Sequence, residues 1–328
     1  MNAAAPLARM RRHLVAVAIA WLLFAAWPFV APNDYLTSLG VAFFINLLLI
    51  GGLNLVMGYG GQISLCQAGF FGLGAYVSGV LAVKAGWPPW LGLFAAPVGT
   101  ALSALVIGLP ALRLRGHYLA MATLGFNAIL TVLFVELVPL TGGPNGLAAI
   151  PPIAIGPLVL DSASRFFWLA WLAGGLLMAL LAALLASRMG RALCAVDGSE
   201  TAAASMGIDP FRTKLAAFVL SAAIAGVAGS LYAHFNQYAS PDTFGFSASV
   251  LLVVMVALGG WGHYWGPVFG AALYTAVPEL LRRFHDAELL VFGAGMVVVL
   301  LFLPEGVAGL AQARRLRGAR APLVKEPA

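Results

Sequence analysis

From Tyr35 to Leu112 the chain carries one charged side chain, Lys84. No water-soluble globule can cover a stretch like that. The rest of the sequence agrees: of 328 residues, 62% are hydrophobic and 9% charged, where a soluble domain carries about 25% charged residues. The solvent facing most of this surface is therefore lipid. In lipid every backbone N–H and C=O must be satisfied within the protein, which restricts the spans to helices or a closed barrel. The apolar runs here have helical length, about 20 residues each. They fall near 13–31, 36–57, 62–84, 90–112, 117–138, 166–187, 213–236, 246–260, 264–281 and 287–303. The fold class expected is all-α, a polytopic transmembrane helical bundle of about ten spans. Arg9, Arg11 and Arg12 before Leu14–Ala31 have the look of a signal peptide. That run is long enough to cross, so it is read as the first span.

Charge orients the bundle. With the N-terminus in the cytoplasm, fourteen Lys and Arg fall inside and four (Lys84, Arg165, Arg282 and Arg283) outside, as the positive-inside rule requires. The basic tail, with Arg314, Arg315, Arg317, Arg320 and Lys325, is inside only if the number of spans is even. Both termini are thus expected in the cytoplasm. The expected organisation is an N-terminal segment 1–12, a transmembrane domain 13–310 and a basic tail 311–328. Two polar segments interrupt the domain: an external one, 139–165, and an internal one, 188–214. The net charge of +6 lies at helix ends, so nucleic acid is not an expected partner.

Several chemistries are missing. No G-x-x-x-x-G-K-[ST] loop occurs to hold ATP. The five histidines and two cysteines show no metal-ligand spacing, so no metal, cofactor or enzymatic activity is expected. Ion-coupled transporters keep ionisable residues at mid-membrane. Here the span centres are almost empty of them, and energy for uphill movement has to come from a partner. A stand-alone secondary transporter or channel is the rival reading.

The internal segment offers a place for that partner. Ser199 is a plausible helix N-cap with Glu200 in the first turn. Ala202, Ala203, Ala204 and Ser205 continue a short, nearly bare helix. Gly207 stops it, and Asp209-Pro210 turns into the next span. Such a helix suits a groove on another protein; the plain alternative is a connector between spans.

The segment resembles the EAA loop of ABC-importer permeases, with Glu200 one residue earlier than in the general pattern. The form Gly190-Arg191-Ala192-Leu193, then Glu200, Ala202, Ala203 and Gly207-Ile208, is similar to permeases for branched-chain amino acids. Gly61-Gln62-Ile63-Ser64-Leu65, Gly69 to Tyr76, Leu112 to Ala120, Gly259-Gly260-Trp261-Gly262, Gly266 to Ala271 and Pro304 to Gly309 resemble the same family. Leu140-Thr141-Gly142-Gly143-Pro144-Asn145-Gly146-Leu147 is characteristic of its M-type subunit. Cys66 and His117 depart from the family pattern, where Gly and Pro are usual. The resemblance implies a bacterial inner-membrane permease forming half of a path for leucine, isoleucine and valine, with urea, short amides or other amino acids as alternative cargo. It also implies a second related permease, two ABC ATPases and an extracytoplasmic binding protein as partners. Arg191, Glu200, Ala202, Ala203 and Gly207 would couple to the ATPase. Thr141, Gly142, Gly143 and Asn145 would meet the binding protein.

The path itself is sought among uncharged polar residues inside spans: Asn46, Asn54, Gln62, Ser64, Thr123 and Asn127. Gly58, Gly60 and Gly61 break an apolar run just before Gln62. That break is either a broken helix or a loop, and a broken helix must line protein or water rather than lipid.

Overall fold

The computed structural model describes residues 21, 24–30, 33–114, 116–155 and 158–281. The expected spans at 13–31 (apart from residues 21 and 24–30) and 287–303 lie outside the described residues, as do the N-terminal segment 1–12 and the tail 311–328.

Helix α1 (Asp34–Asn54) ends in a π turn, Leu55–Tyr59. It is followed by α2 (Gln67–Val83), α3 (Pro89–Ala111), α4 (His117–Glu136) and α5 (Ala163–Ala186). Next come α6 (Arg188–Gly198), α7 (Glu200–Ser205), α8 (Pro210–Asn236), α9 (Phe246–Gly259) and α10 (Gly266–Leu281). Five of the described helices are long and apolar enough to cross a membrane: α1 with its π turn, α3, α4, α5 and α8. Helices α2 and α9 are shorter and apolar. The molecule is a multi-helix, multi-pass membrane protein. The expected run 62–84 needs correction, because Gly60–Cys66 is not helical and α2 starts only at Gln67.

Polar caps set the helix starts. Ser162 accepts the Arg165 N–H, Ser187 those of Met189 and Gly190, Ser199 that of Ala202, and Asp209 that of Arg212. Each satisfies a donor that has no intrahelical partner.

Helices α2, α3 and α8 form the tightest packing, and small residues make it so. A Cβ at Gly74 would stand 2.5 Å from the Gly226 backbone, and one at Gly229 would stand 2.0 Å from the Phe71 carbonyl. Backbones this close gain dispersion contact that lipid-facing Leu or Val would prevent. Helices α1 and α5 mesh differently, with Phe167 over Gly40, Leu177 over Gly51 and Phe44 over Gly174. Beside them the Trp21 and Trp171 indoles each donate to the other's carbonyl, at 3.1 and 3.0 Å.

Between α4 and α5 the chain builds a small cap. The strands Leu147–Ala148 and Tyr238–Ala239 pair antiparallel, as do Ala154–Ile155 and Leu158–Val159. The cap is pinned by a directed chain of bonds. Pro151 O can only accept, so His234 Nδ1 donates to it at 2.7 Å. His234 Nε2 then accepts from Ser78 Oγ at 2.8 Å, and Ser78 Oγ accepts from Ser230 at 2.7 Å.

Candidate translocation and coupling site

At the end of the bundle opposite the cap, α6 and α7 fold over the bases of α5 and α8. Gly190 lets α6 turn back on α5, since a Cβ there would lie 2.4 Å from Leu184 O. Arg191 donates from Nη1 to Ala186 O at 2.9 Å, closing the end of α5. Gly190, Leu193 and Val196 form the inward face of α6. The sequence reading had no helix here.

The short helix α7 begins and ends where the sequence places it. Its Glu200 carboxylate pairs with Lys214 Nζ on the first turns of α8. Gly207 sits at φ +80°, a left-handed turn that Gly adopts without strain. Ala202 and Ala204 are exposed, but Ala203 is buried. A cavity of about 340 Å³ opens beside α7, walled by Arg113, Glu200, Asp209, Phe211 and Lys214. Cys194 on α6 is exposed, and burial of part of its thiol together with the Asp197 carboxylate raises its pKa.

The break after α1 joins this end to the bundle interior. Gly61 has φ +61°, and a Cβ there would stand 2.3 Å from Asp197 Oδ1 on α6. The break is thus a π turn followed by a non-helical return, held against the α6 helix by a glycine. Asp197 and Lys214 were not singled out from sequence. The partner of Asp197 is Gly61, far back in the chain, and that of Lys214 is Glu200, across the Gly207 turn.

The expected path residues separate into two groups. Four have their polar groups engaged. Asn46 donates to Thr275 Oγ1 at 3.1 Å. Asn54 donates to His263 O at 3.2 Å and accepts the Gly262 N–H at 3.1 Å, so it clamps the turn before α10. Ser64 lies 3.3 Å from Cys66 Sγ, and Thr123 Oγ1 accepts the Leu65 N–H at 3.0 Å. The other two, Gln62 and Asn127, are buried with no partner for either amide atom among the described residues. Asn46 also lines a cavity of about 250 Å³ with Ile45, Leu49, Phe71, Tyr232 and Tyr274. Gln67 was missed, although it is another polar residue in an apolar run. Its amide donates to Leu49 O and accepts from Ser221 Oγ, tying α1, α2 and α8.

At the cap, Thr141 Oγ1 donates to Leu137 O and accepts the Gly143 N–H. Gly142 and Gly143 adopt positive φ, and a Cβ at Gly142 would lie 2.0 Å from Gly146 O. The Asn145 side chain is exposed while its carbonyl accepts from Tyr238 at 2.8 Å. This segment is built as a rigid loop with one outward amide.

The described residues thus form an all-α, multi-pass bundle with a helical elbow folded over one end and a broken helix beside it. The chain belongs to the family described as the permease component of the branched-chain amino acid transport system, whose model matches residues 35–300. It is 33% identical over 322 residues to the high-affinity branched-chain amino acid transport system permease protein LivM of Escherichia coli, covering 91% of this chain and 75% of that protein. To LivM of Salmonella typhimurium it is 33% identical over 309 residues, covering 87% and 72%. To LivH of Salmonella typhimurium it is 27% identical over 282 residues, covering 80% and 90%. The chain is LivM-like, as the Leu140–Leu147 segment led us to expect. No solved structure matches it.

Proposed function

We propose that this chain forms half of the translocation path of an ATP-driven importer for leucine, isoleucine and valine, with the energy supplied by separate ATPase subunits. The observation that carries the coupling is the contact of Asp197 with Gly61. It lets a push on the α6–α7 elbow reach the break in the helix without crossing a flexible loop. The names of the relatives support the cargo. In this reading the chain performs no bond chemistry.

The elbow, segment 188–214, is the docking element, with Arg191, Glu200, Ala202, Ala203 and Gly207 shaping it. The cap within 139–165 faces outward and meets a binding protein through Thr141, Gly142, Gly143 and Asn145. Asn46, Asn54, Gln62, Ser64, Thr123 and Asn127 mark the path. The bundle has ten spans in a bacterial inner membrane, with segment 1–12 and tail 311–328 both cytoplasmic. The positive-inside count supports this orientation. A second, LivH-like permease completes the path, two ATPases sit beneath it and a soluble binding protein delivers cargo.

The test is substrate-stimulated ATP hydrolysis by the reconstituted complex, screened over amino acids and urea. Stimulation by leucine, isoleucine and valine is the expected result. Gradient-driven accumulation by vesicles holding this chain alone would overturn the importer reading.

A further inference from the structure

Gln62 and Asn127 are the two described residues whose buried side-chain amides have no hydrogen-bond partner. They are 2% and 1% exposed. Buried polar groups are almost always paired, so a bare pair of amides needs an explanation. Asn127 packs against the start of α2 at Gly69, and Gln62 lies in the segment that leads into it, its Nε2 3.5 Å from where a Cβ at Gly60 would stand.

That start lies inside the bundle, not at its surface. Gln67, the first residue of α2, donates to Leu49 O, and a Cβ at Gly52 would be 3.0 Å from its Nε2. Leu49 is ten residues before Tyr59, or about 15 Å along the helix axis. The first N–H groups of α2 have no partner within the helix. That of Ala68 donates to Ser249 Oγ at 3.2 Å. Those of Gln67 and Gly69 make no hydrogen bond among the described residues. Asn127 reaches this turn because Gly69 has no side chain, a Cβ there falling 2.6 Å from Asn127 Oδ1.

We propose that the start of α2, with the Asn127 and Gln62 amides, is a binding station for the carboxylate of a zwitterionic α-amino acid. This deepens the functional reading above and rests on it. The helix start supplies unpaired N–H donors and the positive end of the helix dipole. Each amide NH₂ adds a donor for the carboxylate, and each amide oxygen an acceptor for the ammonium. The station carries no fixed charge, so it holds the cargo weakly enough to release it. Discontinuous helices in membrane transporters use the same electrostatics for anionic groups.

The test uses the complete complex in proteoliposomes and compares Asn127→Leu, Asn127→Asp and Gln62→Met with the unaltered chain. Assembly is read from copurification, and transport from the cargo concentration giving half-maximal uptake and the maximal rate. Losing one bond to a charged group predicts a loss of uptake of about tenfold or more for Asn127→Leu and Gln62→Met. Asn127→Asp should lose at least as much by repelling the carboxylate. Unaltered uptake by assembled Asn127→Leu and Gln62→Met complexes would assign the amides to trapped water and overturn the station. If the unaltered complex carries a different α-amino acid, the branched-chain reading fails and the variants still judge the station. Transport of an uncharged solute such as urea would sink both.

Discussion

The Glu200 carboxylate on α7 is bonded to the Lys214 ammonium on α8, a contact between the elbow and the helix that follows it. The lysine side chain is 16% exposed and the glutamate 36%. The pair is a strut that ties α7 to α8. Glu200→Gln and Lys214→Met should therefore lower uptake per ATP hydrolysed several-fold. Because the lysine is mostly buried, each single change should also cost about 1–3 kcal/mol of stability by leaving its partner unpaired. Exchanging the charges in Glu200→Lys with Lys214→Glu should restore part of the coupling. Equal coupling ratios in all three variants would show that the strut carries no load.

Burial of Ala203 determines where a partner can be caught. Cysteine introduced at Ala202, Ala204 or Met206 should cross-link to a docked ATPase, whereas cysteine at Ala203 should not. Ala203→Leu should destabilise the elbow by about 1–3 kcal/mol through overpacking. Mass spectrometry of the linked products checks the first expectation and limited proteolysis of the elbow the second.

The native Cys194 supplies a pH readout. Its thiol pKa is raised by burial and by Asp197. A raised thiol pKa lowers the thiolate fraction at neutral pH, and the thiolate is the nucleophile. Maleimide labelling at pH 7 should be slower than for a free cysteine and should climb at higher pH. Asp197→Asn should speed it, and docked ATPase should block it. Buried Cys66 should stay unlabelled throughout. Labelling that ignores a bound ATPase would move the docking surface elsewhere.

Glycines divide into two kinds by what surrounds them. Gly74→Ala drives a methyl group into the Gly226 backbone and should destabilise the chain by about 3 kcal/mol. Gly125 on α4 has nothing within 4 Å of an added Cβ. Gly125→Ala should thus be neutral or stabilise by about 0.5 kcal/mol. Thermal unfolding in detergent separates the two.

The chain of bonds that pins the cap has an order. Ser78→Ala removes the donor to His234 and the acceptor for Ser230, leaving two buried groups unpaired. It should destabilise by about 1–3 kcal/mol. Ser230→Ala removes only the last donor and should do less. Hydrogen exchange in the Ala148–Ile155 region reports whether the cap loosens in that order.

Much of the bundle can be read from apolar length alone, because lipid forces a long apolar run to satisfy its own backbone. The α7 boundaries were equally legible, since Ser199, Gly207 and Asp209-Pro210 act locally. The α6 helix was overlooked because its residues read as polar, though Gly190, Leu193 and Val196 repeat at helical spacing. Apolar pattern cannot show that Gly60–Cys66 leaves the helix, since the run around it is apolar on every face. Nor can it tell engaged amides from bare ones. Asn46 meets Thr275 across 229 residues and Asn54 meets His263 across 209, while Asn127, of the same type, finds no hydrogen-bond partner among the described residues.

The return from Gly60 to Gln67 also dictates an order of construction. Leu65 waits for Thr123, 58 residues later; Gln67 for Ser221, 154 later; and Ala68 for Ser249, 181 later. As the chain is synthesised, these groups emerge long before their partners and have no place in hydrocarbon. The insertion machinery must therefore shelter α2 in a wet or proteinaceous setting until α9 has been made. In this protein an early-made element is sealed only by a late one.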